Sequence, residues 1–253
     1  MDPLHSFRLD GRCAVVTGSS SGLGARFARV LAAAGADLVL VARRVDRLER
    51  LADELRRAGA RVLVHPGDVA RVEDARATAQ HAMEEFGRVD VLVNNAGVGT
   101  ASPSSRETPE AFRAVIDINL NGTFWMAQAC AAQMGRGSSI VNVASVLGHI
   151  APRFPQAAYA ASKAGVVGLT RNLAQEWSGR KGIRVNALCP GYFASEMTDA
   201  ASPQTAAMVR EQSILGRMGH THELDGALLF LASDASSYVT GTSLLVDGGM
   251  AAL

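Results

Sequence analysis

The chain has 253 residues, 48% of them hydrophobic and 19% charged, with 25 Lys plus Arg against 24 Asp plus Glu and a formal net charge of +1. That size fits one large α/β domain or two small ones, and the balanced, scattered charge excludes the strong positive field that a nucleic acid or an anionic membrane requires. No run of eighteen apolar residues suggests a membrane span, and Met1-Asp2-Pro3-Leu4-His5 lacks the basic-then-apolar order of a secretory signal, so a cytoplasmic protein is expected.

In chain order, Cys13-Ala14-Val15-Val16-Thr17 is a short apolar run typical of a buried strand. Thr17-Gly18-Ser19-Ser20-Ser21-Gly22-Leu23-Gly24 follows directly and leads into an amphipathic helix, Ala25-Arg26-Phe27-Ala28-Arg29-Val30-Leu31. Strand, glycine turn and helix in that order make a cradle for a dinucleotide pyrophosphate. Gly18 allows the tight turn, Gly22 lets the backbone approach the anion, and Gly24 lets the helix pack close, while the helix N-terminus offers unpaired N–H groups.

The second strand, 37–41, ends in Val41-Ala42-Arg43-Arg44, with no carboxylate before Asp46. A carboxylate at that point binds a ribose 2′-hydroxyl and repels a 2′-phosphate, whereas an arginine attracts the phosphate. NADP(H) is therefore expected over NAD(H), the bland alternative being that Arg43 is a solvated helix-start residue. Next comes a helix with Leu48, Leu51, Ala52 and Leu55 on one face and Gly59 at its end.

Further strands are expected at 62–64, 89–93, 139–143, 183–187 and 243–246, seven in all, with a helix over Asp225–Ala232 near the end. Each gap between strands is long enough for a crossover helix, and no linker or repeat interrupts the alternation. The expected fold is α/β, a Rossmann-type doubly wound parallel seven-stranded sheet flanked by helices, as a single domain over 1–253. Residues 192–219, a long stretch without a strand and rich in small and polar residues, form a candidate substrate loop or lid.

Cys13, Cys130 and Cys189 are odd in number, lack CxxC spacing and sit in apolar surroundings, so buried free thiols are expected and not disulfides. His220 and His222 stand two residues apart at a helix start, a spacing that does not converge on a metal and suits a cap or a surface. No metal site is expected.

The most informative residues are Tyr159 and Lys163, within Tyr159-Ala160-Ala161-Ser162-Lys163, with Ser145 fourteen residues upstream. The run Gln156 to Leu169 has helical character, and positions four apart share a helix face. Only two of the 25 basic residues are Lys, so an ammonium at 163 stands out in an arginine-rich chain. A phenol titrates near 10 in solution and is a poor base unless a neighbouring cation stabilises its phenolate. A compact, rotatable ammonium can do that, and a bulkier guanidinium fork suits bidentate anions better.

The GxxxGxG spacing of 18–24, Asn94-Asn95-Ala96-Gly97 after the fourth strand, Asn119, Ser145, Tyr159 and Lys163 together resemble the short-chain dehydrogenase/reductase family. Asp68-Val69, Pro190-Gly191 and Val246-Asp247-Gly248-Gly249 extend the resemblance over essentially the whole chain. It is similar in particular to gluconate 5-dehydrogenase-like and 3-oxoacyl-carrier-protein reductase-like members. The resemblance implies that Gly18, Ser20, Ser21, Gly22, Leu23 and Gly24 cradle the cofactor, with Arg43 on the 2′-phosphate. Asp68 would bond the adenine beside Val69, Asn94, Ala96 and Gly97 would border the adenosine ribose, and Pro190 and Gly191 would approach the nicotinamide.

For the chemistry, the resemblance implies that Ser145 bonds the substrate oxygen and Tyr159 gives or takes the hydroxyl proton. Lys163 would lower the Tyr159 pKa and hold the nicotinamide ribose, and Asn119 would support a water-linked proton path. Hydride transfer to a carbonyl develops negative charge on oxygen, which is why a hydroxyl donor and a proton source must converge there. Leu147, His149, Phe154, Gln156 and Tyr192 are candidate substrate walls, and a sugar acid, a polyol or a 3-oxoacyl thioester all remain open. A homotetramer or dimer is expected through Phe124, Met126, Val166, Leu169 and Leu173, unless these side chains merely cover the sheet. The competing readings are a cofactor-binding regulator without turnover and an epimerase or dehydratase using bound NAD.

Overall fold

The computed structural model describes residues 3–99, 101–151, 153–193 and 203–252. Seven parallel strands form one sheet in the order β3-β2-β1-β4-β5-β6-β7: β1 Cys13–Thr17, β2 Asp37–Ala42, β3 Val62–Pro66, β4 Val91–Asn94, β5 Ser139–Val143, β6 Arg184–Pro190 and β7 Ser243–Val246. Val15 of β1 registers with Val39 on one side and Leu92 on the other, so β1 and β4 meet where the winding direction reverses. Such a switch point splays the connecting loops apart and opens a crevice beyond the strand ends.

All five residues of β1 and all four of β4 are buried, as required of parallel strands covered on both faces. Ala14, Val16, Leu38 and Leu40 face one layer, with Phe27 and Leu31 of α1 (Gly22–Ala33), Leu48 and Leu55 of α2 (Val45–Arg57), and Leu228 and Leu231. Cys13, Val15, Val39 and Leu92 face the other. There they meet Ala75 and Ala79 of α3 (Val72–Phe86), and later Met126 and Leu173.

Helix α4 (Pro109–Ile116) is capped by the Thr108 hydroxyl, which accepts from the Ala111 amide at 3.2 Å. It joins α5 (Gly122–Gln133) through a π-helical turn at Asp117–Asn121. Helix α6 (Ala157–Lys181) runs well past the Gln156–Leu169 segment and ends where Gly182 takes the left-handed conformation at φ +69°. The last helices are α7 (Pro203–Gln212) and α8 (Asp225–Ala232).

Strand β4 starts two residues later than 89, and β6 extends three residues beyond 187, ordinary shifts for strand ends. Met126, Val166 and Leu173, expected at an outer face, are instead buried inside the protomer, because α5 and α6 turn those positions onto the sheet and its neighbours. Phe124 and Leu169 remain half-buried.

Of the candidate lid, residues 194–202 lie outside the described residues. Its two ends are tied together: Phe193 and Gly219 form an isolated parallel bridge, and the Gly219 amide donates to the Tyr192 carbonyl at 3.0 Å. Met208 and Val209 of α7 are buried against a cluster that includes Leu147, Tyr159 and Tyr192, which makes α7 a roof over that region. Among the described residues, no helix is long and apolar enough to cross a membrane, and no group of His, Cys, Asp or Glu side chains could hold a metal. The three cysteines are free and buried. His220 caps a short 3-10 turn with Glu223 in a reciprocal capping box, and its ring stacks on His222 at 5.6 Å.

Candidate active site

A cavity of about 910 Å³ opens at the carboxyl ends of β1, β4, β5 and β6. Its first end is built by the glycine turn. The Thr17 hydroxyl accepts from the Asn95 and Ala96 amides, each at 3.0 Å, while the Asn95 side-chain amide donates back to the Thr17 carbonyl at 3.0 Å. This reciprocal pair locks the ends of β1 and β4 together, and sequence reasoning had named neither residue's side chain. Gly18 has φ +66°, and a Cβ there would lie 2.8 Å from Ala96 Cα. A Cβ on Gly24 would collide with the Gly18 carbonyl oxygen and lie 2.5 Å from Asn95 Nδ2.

Helix α1 begins at Gly22 without any side-chain cap from Ser21, so its first amides keep their donors for an incoming anion. The Ser21 hydroxyl is occupied elsewhere, accepting from Arg44 Nη2 at 2.7 Å, and the same guanidinium donates to Ser20 Oγ at 3.0 Å. Arg43 also lines the cavity, but is mostly exposed and stands 3.9 Å from Asp68 Oδ2. Arg44 is thus a second cation at this end of the cavity, beside Arg43. It occupies the N-cap of α2 in an extended conformation that carries its side chain across the crevice.

Asp68 is positioned by its own amide, which donates to Asp74 Oδ2 at 2.8 Å, and Asp68 Oδ1 accepts from the Ala70 amide. Val69 is pressed against α5, where a Cβ on Gly122 would lie 2.8 Å from Val69 Cγ2. Asn94, expected beside a ribose, is a correction. Its side chain points inward, donating to the Thr123 carbonyl at 3.1 Å and to Asn142 Oδ1 at 3.0 Å, because successive β4 residues alternate faces. Asn95, Ala96 and Gly97 line the cavity instead.

At the opposite end stand Ser145, Tyr159 and Lys163, all on the cavity wall. Ser145 follows β5 and its hydroxyl accepts from the Leu147 amide at 3.1 Å, which fixes the start of a 3-10 turn at Val146–Gly148. Gly148 permits that turn to lie against α6, since a Cβ there would be 2.9 Å from the Lys163 carbonyl carbon. Burial pushes the Tyr159 phenol above its ordinary pKa, a hydrogen bond with Ser145 opposes this, and Tyr192 adds to the rise.

Lys163 is buried, and its Nζ donates to the Val143 carbonyl at 2.7 Å while standing 5.7 Å from the Tyr159 ring centroid. Desolvation lowers its pKa to about 8, an effect that Cys189 partly opposes. Lys163 is not among the causes of the Tyr159 shift, of which burial is the largest.

Asn119 lies in the π turn and is fully buried, away from the cavity wall. Its Oδ1 accepts from the Val98 amide at 2.8 Å, and its Nδ2 donates to the Val98 carbonyl at 2.9 Å and to Ser162 Oγ at 3.0 Å. The side chain thus acts as a brace between the 97–99 backbone and α6. Pro190 and Gly191 line the cavity where β6 ends. Gly191 is needed because a Cβ would lie 2.7 Å from Asp247 Cα. Asp247 in turn accepts from the Gly249 and Ala251 amides at 2.9 and 2.8 Å, so the C-terminal turn braces Gly191.

Of the candidate substrate walls, Leu147, Phe154, Gln156 and Tyr192 line the cavity. His149 does not. The 3-10 turn carries it outward, where it is exposed and its Nε2 sits 3.6 Å from Cys189 Sγ. Gln156 Oε1 is buried with no hydrogen-bond partner among the described residues.

A family model described as "Enoyl-(Acyl carrier protein) reductase" matches residues 18–251. The chain is 44% identical to a galactitol 2-dehydrogenase (L-tagatose-forming) of Cereibacter sphaeroides, over 98% of each chain. Its fold matches a crystal structure of a short-chain type dehydrogenase/reductase from Mycobacterium marinum at TM-score 0.94 and 36% identity, covering 98% of this chain and 99% of the other. A gluconate 5-dehydrogenase from Burkholderia cenocepacia, solved with NADP and tartrate, matches at TM-score 0.94 and 38% identity over 99% of both chains.

Proposed function

Since the chain belongs to the short-chain dehydrogenase/reductase family, we propose that Tyr159 is the acid/base with which this oxidoreductase interconverts a secondary alcohol and a ketone. The observation that carries the assignment is that Ser145, Tyr159 and Lys163 stand together on the wall of the same cavity whose far end is the glycine turn. A nicotinamide dinucleotide bound there supplies or accepts the hydride. The residues fit such a group: Gly18, Gly97 and Gly191 line the cavity, and the open amides of α1 suit its pyrophosphate.

Within that frame, Ser145 orients the substrate oxygen and Tyr159 exchanges its proton as charge develops. Lys163 supplies positive charge beneath them and a donor toward the ribose. Asn119 holds Val98 and Ser162 in place, a positioning role beside the reacting end. The cofactor is NADP(H) in preference to NAD(H). Supporting this are Arg43 and Arg44 on the cavity wall, the Ser20 and Ser21 hydroxyls beside Arg44, and the lack of an acid at the end of β2.

A homotetramer accompanies this reading, with the half-buried Phe124 and Leu169 and the exposed Phe112 of α4 as supporting apolar surface. So does a cytoplasmic setting, which the three free cysteines support. The relatives named above are dehydrogenases or reductases, and no observation favours a regulator or an epimerase.

The test is consumption of NADPH and of NADH by the purified protein against polyols, sugar acids and their ketones, with Tyr159→Phe run alongside. Turnover lost in the variant while cofactor still binds is the expected result. Equal turnover by the variant would overturn the assignment of Tyr159.

A further inference from the structure

Among the described residues, the polar substrate end of the cavity carries no cation besides the buried Lys163. Among the described residues that line the cavity, the cationic ones are Arg43, Arg44 and Lys163. The first two stand at the glycine turn, and Lys163 is buried with its ammonium on the Val143 carbonyl. Around Ser145 and Tyr159 the wall is made by Val98, Leu147, Phe154, Gln156, Tyr192 and Phe193. The hydrogen-bonding groups there are hydroxyls and a primary amide. Tyr192 stays a neutral phenol, since burial raises its pKa, and Gln156 contributes an amide oxygen that is otherwise without a partner among the described residues.

The nearby basic residues do not fill the gap. His149 is turned away from the cavity, and Arg153 is exposed, 3.8 Å from Glu211 of α7. Thr100, Pro152 and 194–202, which lie outside the described residues, include no Arg, Lys or His, while Glu196 and Asp199 are acidic.

We propose that this site selects an uncharged polyhydroxylated substrate, an alditol and the corresponding ketose, over a sugar acid. The inference rests on the oxidoreductase reading above and narrows it to a substrate class. A carboxylate held on this wall would be desolvated without a compensating cation, an unfavourable exchange. Hydroxyls of an alditol can pair with the phenols, the serine and the amide, while the chain carbons pack on Leu147 and Phe154. Oxidation is balanced without a further reactant: the carbinol carbon loses hydride to the oxidised dinucleotide, the hydroxyl loses its proton to the phenolate form of Tyr159, and a carbonyl forms.

The experiment compares kcat/KM for alditols of four to six carbons with that for aldonates of the same length, in the oxidised cofactor, using the full chain. The expected result is a preference for alditols of about 30-fold or more, the size of a discrimination set by an unpaired buried charge. Leu147→Lys and, as a second variant should that one fail to fold, Phe154→Arg add a cation to the wall and should narrow the ratio at least about tenfold. Aldonates turned over as well as or better than alditols would overturn the inference while upholding the oxidoreductase reading, as would a 3-oxoacyl thioester serving best. Silence toward all of these and toward simple ketones, with cofactor bound, would overturn that reading and the inference with it.

Discussion

Arg44 bridges two of the three serines of the glycine turn, its Nη2 lying 2.7 Å from Ser21 Oγ and 3.0 Å from Ser20 Oγ. The contact places a permanent positive charge over the loop and takes Ser21 away from capping α1. Arg43, one residue earlier, lies farther out and faces Asp68.

Arg44→Ala should therefore weaken NADPH binding more than Arg43→Ala. Loss of a charge-assisted contact of about 1.5–3 kcal/mol corresponds to roughly a 10- to 100-fold rise in Kd, with NADH binding changed only a few-fold. Fluorescence titration with both cofactors checks it. Equal losses for NADPH and NADH would show that Arg44 supports the loop and does not read a phosphate.

Tyr159→Phe keeps the ring that packs with Leu147 and Tyr192 and removes only the hydroxyl. A fall in kcat of about 10²–10⁴-fold is expected from the loss of a positioned acid/base. Single-turnover kinetics with a cofactor titration measures it, and the cofactor Kd should stay within about twofold if the hydroxyl acts on substrate alone.

Gly24→Ala places a methyl group against the Gly18 carbonyl and the Asn95 amide. Overpacking of this kind costs about 1–3 kcal/mol. Thermal melting should show lower stability, and cofactor affinity should fall with it because Gly18 and Asn95 shape the cavity. A variant as stable as the parent would mean that α1 can retreat without disturbing the turn.

Lys163 has its pKa lowered from 10.5 to about 8 by burial. Between those values the unfolded chain holds a proton that the folded one has released, so this residue's contribution makes stability rise with pH from about 8 to about 10.5. At pH 7 both states are protonated, and the folded state carries the full desolvation penalty. Lys163→Met should then be more stable than the parent at pH 7 by about 1–3 kcal/mol, a gain that shrinks by pH 10, yet be inactive. Denaturant unfolding at the two pH values tests this. Ketone reduction by the parent protein should likewise fall as pH rises through about 8, as the ammonium is lost.

The strands, their order and the pairing of Tyr159 with Lys163 were legible because buried parallel strands and a four-residue helical spacing leave strong patterns. Single-residue choices at strand ends were not. Whether Arg43 or Arg44 reaches the glycine turn, and whether Asn94 or Asn95 faces the crevice, depends on where the pleat stops and the chain bends. Whether His149 faces the cavity or solvent was open for a related reason: the 3-10 turn after Ser145 advances each residue by about 120°, and neither strand nor α-helix spacing predicts it. Asn119 was found by resemblance, but its brace on Val98 needs the π turn, which composition does not announce.

The strand order also says how the molecule can be assembled as it emerges from a ribosome. β2 and β3 add in turn to one side of β1, and β4 to β7 then add successively to the other, so every new strand docks on an edge already made. Only the β1–β4 pairing joins strands that are not neighbours in sequence. No early strand has to wait for a late one, so the sheet can grow without stranding an unfilled slot that another chain could occupy. The chemistry comes later than the cradle. The glycine turn is closed once residue 96 has joined β1, whereas the reacting end needs Gly191 and its brace at Asp247. The cradle can thus form well before the reacting end is complete.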